Sequence, residues 1–197
     1  MVNLLKFGLF NLLAIIASLS WSEDTVLKFY RDSSAQLTAT NIIKRDFNKQ
    51  LTWRSVAASN ANFGFTNDAI WLRIDLSNSD LKQQKKHIRI NYPLLDHVDA
   101  YLVNSSNNNL IQHTHFSDYL PFSDARQHDK YYLFSYDLLP QTNYTAYLRV
   151  ETQSSMTLPV VVFSEDEYIQ ELKLWKTIGF NELNIFQNLS KDSTAMI

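Results

Sequence analysis

The chain has 197 residues, of which 13% are aromatic and none is cysteine, and its 18 basic and 20 acidic side chains give a formal net charge of −2. A near-neutral balance without a basic block excludes a typical nucleic-acid-binding protein, and the missing cysteines exclude disulfides and thiolate metal sites. Two glycines beyond the first 22 residues are too few for a glycine-rich phosphate loop.

The first 22 residues have the layout of a secretory signal peptide. Lys6 gives a short positive start, an apolar run follows at residues 7–19, and the small residues Ser20 and Ser22 mark the expected cleavage region. The apolar run is short for a membrane span, which needs about 17–25 residues. We therefore expect export with cleavage, and the alternative is an uncleaved N-terminus that anchors the chain in the inner membrane.

The next segment mixes one helix with extended pieces. The helix has apolar residues at Ile42, Ile43 and Phe47, with Thr40 or Asn41 as its expected cap. In chain order the predictions are a strand at residues 25–32, the helix at 38–50, a short extended segment at 51–56 and a loop at 57–68.

From residue 69 onward, apolar and polar residues alternate with a period of two, which is typical of strands with one buried and one wet face. In the first such strand, Ile70 and Leu72 oppose Trp71 and Arg73. Seven to nine strands at about ten-residue spacing predict an all-β fold, an antiparallel β-sandwich of jelly-roll type. The predicted strands are residues 69–77, 86–92, 97–104, 110–116, 130–138, 143–152 and 157–164, with a hairpin turn at 105–109 and an irregular connection at 117–129.

The end of the chain predicts a second helix. Ser164 is its expected cap, acidic residues fill its first turn, and Ile169, Leu172 and Leu174 form its expected apolar stripe. The expected division is a signal peptide at residues 1–22, a jelly-roll domain at 23–168, and the C-terminal helix with a polar tail at 169–197.

Four stretches in their order and spacing make the chain similar to a known family. They are residues 64–78, with the Gly64-Phe65 pair before the Trp-Leu-Arg strand; 90–103, with Asn91, Pro93, Leu95, Asp96 and Tyr101; 117–127; and 146–164. Over residues 26–168 the chain resembles the type-2 extracellular sensor domain of bacterial seven-transmembrane receptors with diverse intracellular signalling modules. It departs from the family at Ser117-Asp118, where a glycine-aspartate pair is frequent.

The resemblance implies a jelly roll similar to carbohydrate-binding modules and a non-catalytic role in periplasmic ligand sensing. It also implies membrane receptor helices as partners, an intracellular effector, and no cofactor, and it leaves room for a homodimer. The chain ends about where the first membrane helix is expected. A truncated receptor is therefore one interpretation, and a free-standing exported carbohydrate-binding or adhesion module is the other.

Aromatic and arginine side chains on the wet strand face predict a ligand platform. Aromatic rings pack on the apolar face of a sugar, while arginines bind hydroxyls or a carboxylate, so we expect a carbohydrate or a small carboxylate as ligand. The alternative is that the N-terminal segment or the C-terminal helix covers this face, with Arg73 paired to Asp75 or Asp99. The predicted ligand-binding residues are Trp71, Arg73, Tyr101, Arg126, Tyr147 and Arg149.

Metal binding and catalysis find little support in the sequence. His113 and His115 lie two positions apart and share a strand face, where Asp118 would complete a metal site, but isolated histidines in a hairpin are commoner. No nucleophile elbow or triad is recognisable, and the acidic run at residues 164–167 is typical of a solvated helix start. We expect no metal site and no enzyme, with a hydrolase as the third class to test.

Overall fold

The computed structural model describes residues 26–58, 61–117 and 131–177, and these form strands with two helices. The elements are β1 Val26–Asp32, α1 Ala39–Phe47, β2 Arg54–Ala57, β3 Asn62–Phe65, β4 Ala69–Asn78, β5 Gln84–Ile90, β6 His97–Asn104, β7 Leu110–Ser117, β8 Tyr132–Leu138, β9 Thr142–Glu151, β10 Ser155–Thr157, β11 Val160–Ser164 and α2 at residues 165–177.

The strands form an antiparallel sandwich, which confirms the predicted fold class. One layer is a six-stranded sheet in the order β2-β1-β4-β9-β6-β7, and the other contains a three-stranded sheet, β11-β5-β8, and the two-stranded pair β10-β3. Strand β4 pairs with β9, β5 with β8 and β6 with β7, so the pairs are nested like one long hairpin. Rolling such a hairpin so that its arms alternate between two layers gives the jelly-roll arrangement.

The alternation of residues along the strands builds the core between the layers. Ile70, Leu72 and Leu148 of the six-stranded sheet and Ile88 of the opposite sheet are all 0% exposed. Because side chains alternate across a strand, the odd-numbered residues of β4 fall on the outer face. Burial of each large apolar side chain stabilises the sandwich by about 1.5–3 kcal/mol, and this term fixes the register.

Helix α1 covers part of the outer face of the six-stranded sheet. Ile42 is fully buried there, against Trp71 and Tyr147. The helix is capped by Thr38, whose hydroxyl accepts the N–H of Asn41 while the Asn41 side chain accepts the N–H of Thr38. The predicted cap at Thr40 or Asn41 is therefore wrong, because the reciprocal bonds place the cap two or three residues earlier, at Thr38.

Helix α2 follows β11 directly and lies on the outer face of the three-stranded sheet. Its start at Ser164 is confirmed, since the Ser164 hydroxyl accepts the N–H of Glu167 and the Glu167 carboxylate accepts the N–H of Ser164. The predicted apolar stripe is wrong at two of its three residues, since Ile169 is 38% and Leu174 59% exposed, while Leu172 is partly buried. The sheet face beneath the helix presents charged residues of β5, so acidic and aromatic residues of α2 face the domain instead.

Two predicted boundaries also differ from the structure. The segment at 57–68, predicted as a loop, contains β3, where Gly64 takes a φ of +65° that favours glycine. The single strand predicted at 157–164 is two strands, because Pro159 has no N–H to donate and the chain changes partners there. The described residues therefore hold eleven strands rather than seven to nine.

The predicted signal peptide, the connection from residue 118 onward and the polar tail lie outside the described residues. Within the described ranges, neither helix combines the length and the apolar character that a membrane crossing requires.

Candidate functional site

The loop that leads into α1 is fixed by a buried carboxylate. Asp32, which is 3% exposed, accepts the N–H of Leu37 at 2.8 Å and the hydroxyl of Ser34 at 2.6 Å. Burial alone raises the pKa of Asp32, but the hydrogen bonds from Ser34 and Leu37 outweigh it and hold the pKa below its ordinary value. This loop places α1 over the strand face on which the sequence predicts a ligand platform.

One carboxylate of α1 pins the helix to that face. Asp46 accepts the Arg73 Nε–H at 2.8 Å and the Tyr147 hydroxyl at 2.6 Å on one oxygen, and the Trp53 Nε1–H at 2.6 Å on the other. Burial, together with the bond to Asp46, raises the pKa of Tyr147, so its hydroxyl stays a donor. Asp46 was not predicted as a site residue, although its place one turn after Ile42 on an amphipathic helix is a signal that it faces the sheet.

Trp71 and Tyr147, two of the predicted ligand-binding residues, lie beneath α1 and are 0% and 4% exposed. The indole Nε1–H of Trp71 is buried without a hydrogen-bond partner among the described residues. The covering segment is the N-terminal helix, as one of the two sequence-based alternatives predicts. Direct ligand contact by Trp71 and Tyr147 stays a prediction, since α1 has to move before a ligand reaches them.

The arginines on this face bind acids of the protein. Arg73 donates to Asp46 and to Asp75, the latter at 2.8 Å, and the Asp75 pair is one of the two that the sequence predicts. Arg149 forms a bidentate pair with Glu151, with N···O distances of 2.6 and 2.8 Å. Both guanidinium groups therefore already have carboxylate partners, and neither is free to bind an anionic ligand without exchanging one.

The rest of the outer face is not covered by α1, and we call it the open half. Within it the ring of Tyr101 stacks on His113 at a centroid distance of 4.4 Å and an interplanar angle of 3°. Burial, together with the neighbouring Asp99 charge, raises the pKa of Tyr101 to about 12. The open half consists of His97, Asp99, Tyr101, His113, His115, Arg149 and Glu151.

Two histidines of the open half share one carboxylate oxygen. Oδ1 of Asp99 lies 2.8 Å from Nε2 of His113 and 2.9 Å from Nδ1 of His115. The residue predicted to complete a metal site, Asp118, lies outside the described residues. Within the described part of the chain, no group of three histidine or acidic side chains is arranged to hold a metal ion.

A cleft of about 400 Å³ opens beside the open half, where three loops meet at one end of the sandwich. Asp96 accepts the N–H of Gln153 at 2.7 Å, and Asp68 pairs with Arg31 at 3.1 Å, so these bonds order the loops. His97 and Glu151 belong to both surfaces and make them continuous. This end cleft is lined by Thr66, Asn67, Asp68, Asp96, His97, Glu151, Thr152, Gln153 and Ser154.

Of the six predicted site residues, the structure brings two to the open half, Tyr101 and Arg149. Trp71, Arg73 and Tyr147 lie on the same sheet face under α1, and Arg126 lies outside the described residues. The hydroxyl, amide and carboxylate groups of the end cleft were not predicted, because they come from three loops that are distant in sequence.

A jelly-roll sandwich with a half-covered outer face and an acceptor-rich end cleft places the chain among all-β sandwich domains. The chain belongs to the family described as 7TMR-DISM extracellular 2, whose family model matches residues 24–164. This family comprises extracellular domains of seven-transmembrane receptors, which confirms the resemblance read from the sequence and assigns the domain to the outside of the cytoplasm. No curated protein is similar enough to match the chain.

Solved structures share parts of the fold at low identity. Ruminococcus gnavus β-glucuronidase is 12% identical, with a TM-score of 0.40, over 66% of this chain and 20% of the enzyme chain. Its complex with uronic isofagomine is 14% identical, with a TM-score of 0.37, over 66% and 21% of the two chains. A family 35 carbohydrate binding module from an environmental isolate is 16% identical, with a TM-score of 0.30, over 48% and 66%. The chain thus matches only about a fifth of the glucuronidase, and no functional argument follows from these likenesses.

Proposed function

We propose that the chain is a non-catalytic periplasmic sensing domain of a membrane signalling receptor, exported by its N-terminal signal peptide. The observation that carries this proposal is its membership, over residues 24–164, of a family of extracellular receptor domains. In this proposal the domain binds a small ligand at the open half and the end cleft. Receptor helices in the membrane then receive the signal.

The charge of the site favours a carbohydrate over a small carboxylate. Four carboxylates, Asp68, Asp96, Asp99 and Glu151, surround the open half and the end cleft. They repel an anionic ligand, and the guanidinium of Arg149 is already held by Glu151. Carboxylates accept hydrogen bonds from sugar hydroxyls, so a neutral polyhydroxylated ring fits this surface better.

Tyr101 and Arg149 are the predicted residues that we assign to direct contact. The stacked rings of Tyr101 and His113 offer an apolar surface for a sugar ring, and Arg149 offers donors beside it. The ring of Trp71 also stacks against that of Tyr101, with a centroid distance of 6.1 Å. Contact by Arg126 stays part of the proposal without structural support.

Binding to a glycan array, followed by calorimetric titration of each hit, tests this function. We expect Tyr101→Leu to bind the hit about two- to tenfold more weakly, since an aromatic contact is worth about 0.5–1.5 kcal/mol beyond its area. Phe47→Leu is the matched control, because Phe47 is an aromatic residue 59% exposed on α1 and outside the site. Thermal unfolding checks that both variants fold. Failure of the array to show any glycan, or equal affinity in both variants, contradicts the proposal.

A further inference from the structure

A second cavity lies at one edge of the sandwich, between the two sheets, and has α2 as one wall. It measures about 380 Å³ and sits where the edge strands of the two sheets, β7 and β8, part from each other. Phe116 and Phe134, whose ring centroids are 5.2 Å apart, close its floor. Glu165 and Tyr168 of α2 line it from above, so the strands and the helix enclose one space.

One buried histidine links the sheet to α2 beside this cavity. His87, whose side chain is 3% exposed, has Nδ1 at 2.9 Å from the Ser135 hydroxyl and Nε2 at 2.6 Å from Glu165. Its ring clusters with those of Phe163 and Tyr168, at centroid distances of 5.4 and 4.6 Å, and these two rings are themselves 5.8 Å apart. A single side chain thus joins β5, β8 and α2 at the edge of the cavity.

The lining selects for a neutral, hydroxylated ligand. Thr114 and Ser135 contribute hydroxyls and Gln112 contributes an amide, while the charges of Lys85 and Glu165 oppose each other. The rings of the floor and of Tyr168 supply apolar surface for the face of a sugar ring. A volume of about 380 Å³ lies within the range of small-molecule sites and admits a single sugar residue.

We propose that this seam cavity is a second binding site, for a neutral monosaccharide-sized ligand, and that its occupancy holds α2 against the sheet. A ligand shifts an equilibrium only if it binds one state better than the other. Departure of α2 removes Glu165 and Tyr168 from the cavity wall, so a ligand there binds the docked state better. Within the described residues, the open half and the end cleft include no residue of α2, so a ligand there lacks this direct coupling. The inference rests on the proposed function in that a sensing domain has to pass on its ligand state, and α2 is taken here as the element that does so.

Hydrogen exchange of the α2 amides, measured on the full chain, tests the proposal. The probes are D-glucose, D-galactose and N-acetyl-D-glucosamine, with D-galacturonate as the charged comparison. We expect at least one neutral sugar at saturation to slow exchange across residues 165–177 by about tenfold, as expected if it binds the docked state about ten times better. D-Galacturonate should have little effect.

Substitutions then locate the response. Thr114→Trp fills the cavity from β7 and should remove the effect of the sugar on α2, while Thr52→Trp, at an exposed position remote from the cavity, should keep it. Unchanged exchange with all four probes overturns the proposal. So does a response that survives in Thr114→Trp but is lost in Tyr101→Leu, which leaves the proposed function standing with its site at the open half. Loss of glycan binding in Tyr101→Leu with the α2 response intact supports two separate sites.

Discussion

At the scale of single residues, Asp46 decides what the outer face of the six-stranded sheet can do. Its three hydrogen bonds tie α1 to strands β4 and β9 and to the segment before β2. The same bonds make Arg73 and Tyr147 partners of the helix, so a ligand has to displace Asp46 before it contacts them. The part of the face that bonds to Asp46, at Arg73 and Tyr147, is therefore covered by α1, and the open half lies beyond it.

We expect Asp46→Ala to lower the free energy of unfolding by about 2–4 kcal/mol, since hydrogen bonds to charged groups are worth about 1.5–3 kcal/mol each and leave unpaired donors when lost. Urea unfolding at neutral pH measures this. Asp75→Ala is the matched control, because Asp75 also pairs with Arg73 but is 54% exposed, and it should cost no more than about 1 kcal/mol. Similar losses of unfolding free energy in the two variants contradict the conclusion that Asp46 holds α1 on the sheet.

The residues of the predicted platform show how far sequence reasoning reaches at this scale. Trp71, Arg73, Tyr101, Tyr147 and Arg149 were correctly placed on one sheet face, because a period of two fixes the face of every residue in a strand. Exposure did not follow from that period. It depends on whether another element covers the face, and only the tertiary path of α1 decides this.

At the scale of elements, α2 shows an electrostatic form of helix docking. Besides the His87–Glu165 contact, Arg89 donates to Glu171 at 2.8 Å and lies 5.1 Å from the ring centroid of Phe163. The stripe predicted for this helix was wrong because hydrophobic periodicity presumes an apolar surface beneath a helix. Here β5 presents His87 and Arg89 at alternate positions, and Glu165 and Glu171 of α2 pair with them.

This docking should weaken in acid. Burial raises the pKa of Glu171, but the hydrogen bonds from Arg89 and Trp175 outweigh it and lower the pKa. The bond from the Ser164 N–H likewise lowers the pKa of Glu167 in the helix cap. A carboxyl whose folded-state pKa is lowered contributes stability above its unfolded value of 4.5, and this contribution is lost as the pH falls through the folded-state pKa.

Hydrogen-exchange protection of residues 165–177 should therefore fall as the pH is lowered below 4.5. At neutral pH, Glu171→Gln should speed exchange of these amides by up to about fivefold, since a partly exposed charge pair contributes at most about 1 kcal/mol. Lys173→Gln, at an exposed position beyond the first turn of the helix, is the control and should have little effect. Protection that stays constant into acid, or equal effects of the two substitutions, contradicts this role of Glu171.

The strand assignments mark another limit at the element scale. Long alternating segments such as β4, β6 and β9 were located to within one or two residues from the sequence. The short β3 and β10 were missed, since each gains its strand geometry from the other and not from a pattern of its own. Short strands carry too few residues for a period of two to show, and Gly64 and Pro159 are typical of turns when seen in sequence alone.

At the scale of the whole molecule, buried tyrosines make the free energy of unfolding decrease as the pH rises into the alkaline range. Burial raises the pKa of Tyr136 in the core and of Tyr147 under α1 above the ordinary value, and it raises that of Tyr101 from 10.0 to about 12. The neutral phenols bind their protons more tightly in the fold than in the unfolded chain. Their contribution is complete below pH 10 and is lost as the pH rises toward the folded-state values.

We expect the free energy of unfolding to fall steeply between pH 10 and 12, measured by urea titration at each pH. Circular dichroism and tryptophan fluorescence should give the same midpoints, because the layers share one core and unfold together. Tyr147→Phe should make the free energy of unfolding depend less steeply on pH, since it removes one of these tyrosine ionisations. A stability that is level across this range, or separate transitions for the two signals, contradicts a single cooperative unit.

The junction between β11 and α2 has a mechanical consequence. The strand ends at Ser164 and the helix begins at the next residue, with a capping box in place of a spacer. A helix over residues 165–177 is about 20 Å long at a rise of about 1.5 Å per residue. A tilt of about 10° at its root would displace residue 177 by about 3 Å, so a small rotation at the junction becomes a larger displacement along the helix.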